Sequence, residues 1–164
     1  MQRRQPLEYN KALERVAQWC AQSEHCSSEV QKKLLSYGLE EHDIARAIAW
    51  LIDNRFVNDE RFATYFVRDK HRFSGWGPQK IRFQLISKSI PESIINRALL
   101  ELEDLPTNDT LRHLLVSKLR SSHQPDPWKL KASLVRFAIS RGYTYDDILP
   151  IVEDLLSNRE YTDC

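Results

Sequence analysis

Apolar residues recur every three or four positions through most of the chain, which is the period of an amphipathic helix. Ala12, Leu13, Val16, Trp19 and Cys20 predict a helix over Tyr9–Cys20. Ser27 or Ser28 then caps a helix over Glu29–Tyr37, with Val30, Leu34 and Leu35 facing inward. Gly38 stops it, because glycine takes a left-handed conformation at little cost. Ile44, Ala47, Ile48 and Leu51 predict the third helix, Glu41–Asn54. Asn58 or Asp59 caps the fourth, which runs to about Arg72 on a stripe of Phe62, Ala63, Phe66 and Val67. Pro78 suits the first turn of the fifth, which has Ile81, Leu85 and Ile86 and runs to about Lys88. The sixth is Glu92–Leu102. A linker with Asp104 and Pro106 follows. Leu111, Leu114, Leu115 and Leu119 mark the seventh helix, and Leu130, Leu134, Phe137, Ala138 and Ile139 the eighth, which Gly142 ends. Tyr145–Ser157, with Ile148, Ile151, Val152 and Leu155, is the last.

The pattern repeats. A shift of 51 residues carries Val30, Leu34, Leu39, Ile44, Ala47 and Leu51 onto Ile81, Leu85, Ile90, Ile95, Ala98 and Leu102. A shift of 104 carries Leu34, Gly38, Leu39, Ile44, Ile48 and Leu51 onto Ala138, Gly142, Tyr143, Ile148, Val152 and Leu155. The glycine register breaks once, where Ser89 stands in place of Gly38. A whole helix-turn-helix, turn included, thus matches twice. This predicts an all-α fold, an elongated and curved array of three tandem three-helix repeats over 9–57, 58–104 and 105–157, with short tails at 1–8 and 158–164. Each repeat is near the lower size limit for independent folding, so neighbours must complete its core.

Composition narrows the class. A hydrophobic fraction of 41% and a charged fraction of 29% suit a helical protein with a thin core rather than a disordered chain. No apolar run approaches the roughly 20 residues of a membrane helix. The basic N-terminus has no apolar segment behind it, so a cytoplasmic protein is expected. Three cysteines make a disulfide framework improbable. Cys20, His25 and Cys26 lack a second cluster to complete a tetrahedral metal site, so no metal or other cofactor is expected. Tryptophans 19, 50 and 128 read as core. No phosphate loop, nucleophile elbow or zinc-protease helix is present, and the five histidines are scattered. The chain does not read as an enzyme.

Net charge is only +1, but its distribution is uneven. Residues 68–88 carry Arg68, Lys70, Arg72, Lys80, Arg82 and Lys88 against Asp69 alone. They flank a Gly75-Trp76-Gly77-Pro78 elbow that holds two of the four glycines. These cations and Trp76 are the candidate partner- and DNA-binding residues. Exposed cations attract phosphates independently of sequence, and a tryptophan between glycines either stacks on a partner or plugs the gap between helices. Asn58-Asp59-Glu60-Arg61 reads as helix capping.

The middle repeat resembles the RecX family of bacterial regulatory proteins. The residues that carry the resemblance are Phe56-Val57-Asn58-Asp59-Glu60-Arg61-Phe62-Ala63, Phe66-Val67, Gly75-Trp76-Gly77-Pro78-Gln79-Lys80-Ile81 and Leu85. Ser28-Glu29-Val30-Gln31-Lys32-Lys33-Leu34 is similar to that family's first repeat, and Arg141-Gly142-Tyr143 with Asp146-Asp147-Ile148 to its last. The likeness spans about residues 9–157. It implies three tandem three-helix repeats and a non-enzymatic monomer that binds the RecA recombinase and its filament on single-stranded DNA. The expected effect is inhibition of recombinase and coprotease activities in DNA repair and the SOS response, with at most weak, non-specific DNA binding of its own. Trp76 between the glycines, and His71-Arg72-Phe73-Ser74 before them, depart from the family pattern. A stand-alone helix-turn-helix DNA-binding protein is the alternative, and a purely structural helical adaptor a third reading.

Overall fold

A computed structural model describes residues 7–103, 105 and 107–160. Of the tails expected at 1–8 and 158–164, residues 1–6 and 161–164, Cys164 included, lie outside the described residues, as do the linker residues Asp104 and Pro106; residues 158–160 continue the last helix. The described chain is all-α: α1 (Tyr9–Gln22), α2 (Ser27–Ser36), α3 (Glu41–Asp53), α4 (Asp59–Ser74), α5 (Pro78–Ser87), α6 (Glu92–Leu99), a 3-10 turn (Leu100–Leu102), α7 (Thr107–Arg120), α8 (Pro127–Ser140) and α9 (Tyr145–Glu160).

The three-fold repeat is visible in the backbone. Gly38, Ser89 and Gly142 stand at the 51- and 104-residue shifts, and all three have positive φ, at 84, 60 and 94°. Each closes its helix with the same pair of hydrogen bonds. Gly38 N donates to Leu35 O and Leu39 N to Leu34 O; Ser89 N to Ile86 O and Ile90 N to Leu85 O; Gly142 N to Ile139 O and Tyr143 N to Ala138 O. These are the paired bonds of a Schellman end, which satisfy the last carbonyls of a helix. The serine that broke the glycine register therefore takes the glycine conformation. A side chain in that region costs about 1 kcal/mol, so Ser89→Gly is expected to stabilise the protein by up to about 1 kcal/mol. Urea denaturation checks this, and a destabilised S89G would show that the serine side chain contributes more than its backbone costs.

The helix starts follow local chemistry. Asp126 Oδ1 accepts from Trp128 N and Lys129 N at 2.9 and 3.2 Å, ahead of Pro127 at the first helical position. Asn58 Oδ1 accepts from Arg61 N at 2.9 Å and caps α4. Asp59 does something the sequence did not suggest. Its Oδ1 accepts from Ser27 N at 2.8 Å, so it caps α2 from a distant part of the chain. The Ser27 and Ser28 hydroxyls do not cap α2; Cys26 occupies the cap position without a side-chain bond to the helix backbone.

The chain folds as two compact units, one running to Tyr65 and including Leu85–Ile95, the other comprising Phe66–Gln84 and everything from Asn96. The division passes within α4, α5 and α6. In the first unit a core of Ala12, Val16, Val30, Leu34, Ile44, Ala47, Leu51 and Val57 joins α1, α2 and α3. In the second, Leu111, Leu115, Leu130, Leu134, Ala138, Tyr143, Ile148 and Val152 join α7, α8 and α9.

Several expected core positions are corrected. Leu35, Ile86 and Ile139, at one position of the three repeats, are 54, 55 and 50% exposed. Each follows the buried residue of its stripe by one step, about 100° round the helix, which turns it outward. Trp50 is 42% exposed and stacks on Phe56, and Trp128 is 82% exposed in the first turn of α8. Trp19 is partly buried against the first core, as expected.

Candidate functional site: a cationic elbow docked on a helix end

The elbow after α4 belongs wholly to the second unit, and its backbone is fully occupied. Gly75 N and Trp76 N donate back to His71 O and Lys70 O at 3.0 and 3.1 Å. His71 is buried at the end of α4. Its Nδ1 donates to Trp76 O at 3.0 Å, and its Nε2 lies 3.2 Å from Thr110 Oγ1. The far side of the elbow is held by the turn after α8. Gly77 N donates to Arg141 O at 2.8 Å and Gln79 N to Gly142 O at 3.0 Å. Tyr143 Oη donates to Gly75 O at 3.1 Å, Arg141 Nη1 to Ser74 O at 3.3 Å, and Lys80 Nζ to Ser140 O at 3.2 Å.

This docking explains the glycines. A Cβ on Gly77 would lie 2.5 Å from Gly142 O, and one on Gly142 would lie 2.5 Å from Lys80 N. Two backbones touch there, and only hydrogen side chains fit between them. Burial pushes the Tyr143 hydroxyl up to about 12, against the pull of the Arg141 charge. Arg141, Gly142 and Tyr143 are thus structural supports of the elbow that the sequence assigned only to the third repeat. A signal was present: the equivalent turn one repeat earlier is Lys88-Ser89-Ile90, and Lys88 was already a candidate.

The candidate residues separate into groups. Lys70 and Lys80 converge on Trp76, with Nζ atoms 5.1 and 4.8 Å from its ring centroid, and Phe66 meets the same ring edge-on at 6.4 Å. Cations over an indole face are attracted by its quadrupole. Trp76 is half-buried, so it both fills the elbow and remains reachable from solvent. Arg72 is exposed, beside the exposed Phe73 ring. Arg68 is tied to Glu101, its Nε and Nη2 donating to Oε2 at 2.8 and 2.5 Å. Arg82 is half-buried and held by an interaction within the chain. Lys88 is not part of this group. It lies in the first unit, paired with Glu29 and placed 5.7 Å from the Phe62 ring centroid.

Asn58, Asp59 and Arg61 are accounted for by structure, since Arg61 Nε donates to Glu24 Oε1 at 2.6 Å while the other two cap helices. His25 spends its nitrogens on Ser23 Oγ and Glu29 Oε2, at 2.8 and 3.1 Å, and its ring stacks on Trp19. Cys20 and Cys26 are buried thiols; burial raises the Cys20 thiol to about 11, with Glu24 and Glu29 adding to the shift. Among the described residues no three His, Cys, Asp or Glu side chains are grouped to hold a metal ion. No described helix is long and apolar enough to cross a membrane.

Comparison with known proteins agrees with the repeat. Residues 58–99 match the second three-helix domain of RecX and residues 108–152 the third. The regulatory protein RecX of Clostridium perfringens (strain 13 / Type A) is 36% identical over 135 residues, which is 81% of this chain. This chain spans only 62% of that relative's length. The regulatory protein RecX of Salmonella paratyphi A (strain ATCC 9150 / SARB42) is 31% identical over 153 residues, covering 87% of this chain and 90% of the relative. The crystal structure of RecX from Lactobacillus salivarius superposes with a TM-score of 0.77 at 27% identity, covering 90% of this chain and 96% of that one. Helix order, repeat and sequence coincide, and the chain belongs to the RecX family of regulatory proteins.

Proposed function

We propose that this chain regulates the RecA recombinase, binding it and its filament on single-stranded DNA and inhibiting recombinase and coprotease activities during DNA repair and the SOS response. Family membership carries this reading. The protein acts as a cytoplasmic monomer built of repeats over 9–57, 58–104 and 105–157, without catalysis of its own. The elbow of the middle repeat is the contact surface, where Lys70, Arg72, Trp76, Lys80 and Arg82 meet the filament. Arg68 and Lys88, already paired with Glu101 and Glu29, contribute less.

RecA-catalysed strand exchange and single-stranded-DNA-dependent ATP hydrolysis, titrated with the purified chain, test it. Both are expected to fall as the chain is added. Reversing Lys80 and Arg82 together is expected to weaken the inhibition about tenfold at low salt, since each phosphate or carboxylate contact of this kind is electrostatic. A cognate recombinase indifferent to the chain would overturn the reading. Tight, sequence-selective duplex binding without a recombinase would replace it with a stand-alone helix-turn-helix protein.

A further inference from the structure

The turn that ends α3 carries an arginine where the backbone favours glycine. Arg55 N donates to Ile52 O at 3.0 Å and Phe56 N to Leu51 O at 2.8 Å, the same paired closure as at Gly38, Ser89 and Gly142. The closure puts Arg55 at φ 62°, in the left-handed region. A long side chain there carries a backbone cost that glycine avoids. Asn54, a residue that takes this region more readily, stands one position earlier at φ −90°. Among the described residues the Arg55 side chain has no ion-pair or hydrogen-bond partner; only its carbonyl is held, by Arg61 Nη2. Backbone strain with no side-chain contact inside the fold to offset it points to a side chain kept for a partner.

Arg55 lines an open cleft of about 400 Å³, all of whose lining residues belong to the first unit. That volume is in the range of small-ligand pockets. The apolar lining is Ile52, Val57 and Ile94, and Ile52 is 47% exposed. The other polar and charged lining groups are already engaged. Asp59 Oδ1 accepts from Ser27 N, and Asn58 Oδ1 accepts from Arg61 N. Arg61 donates through Nε to Glu24 and through Nη2 to Arg55 O, at 2.6 and 3.3 Å. Glu60 is held by an interaction within the chain. Among the described residues the Arg55 guanidinium is thus the one charged group lining the cleft that has no partner.

We infer that this cleft docks an acidic peptide segment of a partner protein, with an apolar side chain against Ile52 and Ile94 and a neighbouring carboxylate on Arg55. The unpaired positive charge fixes the sign of the occupant, and a guanidinium takes a carboxylate through two parallel hydrogen bonds. The exposed Ile52 gives the neighbouring apolar side chain a surface to cover. A nucleic-acid strand fits poorly. No described lining residue is aromatic, so bases have no ring to stack on, and Asp59 and Glu60 repel a run of phosphates. The cleft belongs to the first unit and the elbow to the second, and binding here involves neither DNA nor the cations of the elbow. The site therefore stands or falls apart from the proposed regulation of RecA.

The test pans a phage-displayed library of random heptapeptides on the full chain, then measures the most enriched peptide, fluorescein-labelled, by anisotropy. Enrichment of Asp or Glu close to Leu, Ile or Val is expected. Arg55→Gly should melt at the wild-type temperature or above, because it relieves the left-handed arginine, and should bind the peptide about tenfold or more weaker. Arg55→Lys, which keeps the charge but loses the paired donors, should bind with intermediate affinity. Ile52→Glu, at an exposed position of α3, should lose binding while keeping the helical circular-dichroism spectrum. The proposal is overturned if no acidic peptide is enriched, or if R55G and I52E bind the peptide as wild type does. An R55G that melts below wild type would also overturn it, since the arginine would then serve the fold. Displacement of the peptide by oligo-dT as effective as by the unlabelled peptide would overturn the assignment to a protein partner in favour of nucleic acid.

Discussion

Gly142→Ala is expected to lower the stability of the second unit by about 3–5 kcal/mol. Two costs add. The backbone at Gly142 has φ +94°, which a side chain adopts only with strain. The new Cβ would also lie 2.5 Å from Lys80 N and 2.4 Å from Lys80 Cβ, and neither can swing aside as a side-chain tip could. For a chain of this size the melting temperature should drop by roughly 10 °C. Gly38→Ala is the control. Gly38 has φ 84° at the equivalent turn but is exposed, so only the backbone cost of about 1 kcal/mol applies. Circular-dichroism melts of the two variants measure the difference. Equal losses would mean that the close approach of the elbow to the turn after α8 does not exist in solution.

Alkaline pH is expected to loosen the same joint through Tyr143. Its hydroxyl is buried and donates to Gly75 O, and burial raises it from 10 to about 12. The folded protein holds the phenol proton more tightly than the unfolded chain does. The stabilisation is therefore complete below pH 10 and is lost as pH rises through about 12. A shift of this size corresponds to roughly 2–3 kcal/mol. Tyr143→Phe is expected to cost about 1–2 kcal/mol at neutral pH, because Gly75 O loses its donor. The same variant should show a shallower loss of stability from about pH 10 to about pH 12. Urea denaturation of both proteins across that range checks it. A variant as alkali-sensitive as wild type would place the responsible group elsewhere.

Much of the fold was legible because it depends on neighbours in the chain. The helices follow from apolar spacing and from punctuation at Gly38, Pro78, Pro127 and Gly142. The three-fold period follows from the matching of whole helix-turn-helix units. Ser89 shows where letters mislead: the residue type changed, but the backbone kept its left-handed turn. The exposed Leu35, Ile86 and Ile139 show a second limit. An apolar stripe read from spacing alone has uncertain width, and only the packing of real neighbours sets its edge.

The candidate site was legible in part. Lys70, Trp76 and Lys80 were named from the sequence, and the structure gathers them. Lys88 was named with them but lies in the first unit, paired with Glu29, because sequence proximity along α5 says nothing of which partner each end meets. Arg141 and Tyr143 were missed as site residues for the same reason: they reach the elbow from more than 60 positions away.

The sequence by itself determined the helices, the turns that end them and the three-fold period, since these depend on propensity, capping and backbone freedom within a few residues. Tertiary structure alone decided that Gly77 and Gly142 lie back to back, that Asp59 caps α2, and that Lys88 pairs with Glu29 while Lys80 meets a backbone carbonyl. Those outcomes rest on contacts between distant segments, where a few tenths of an ångström or one reversed charge changes the result.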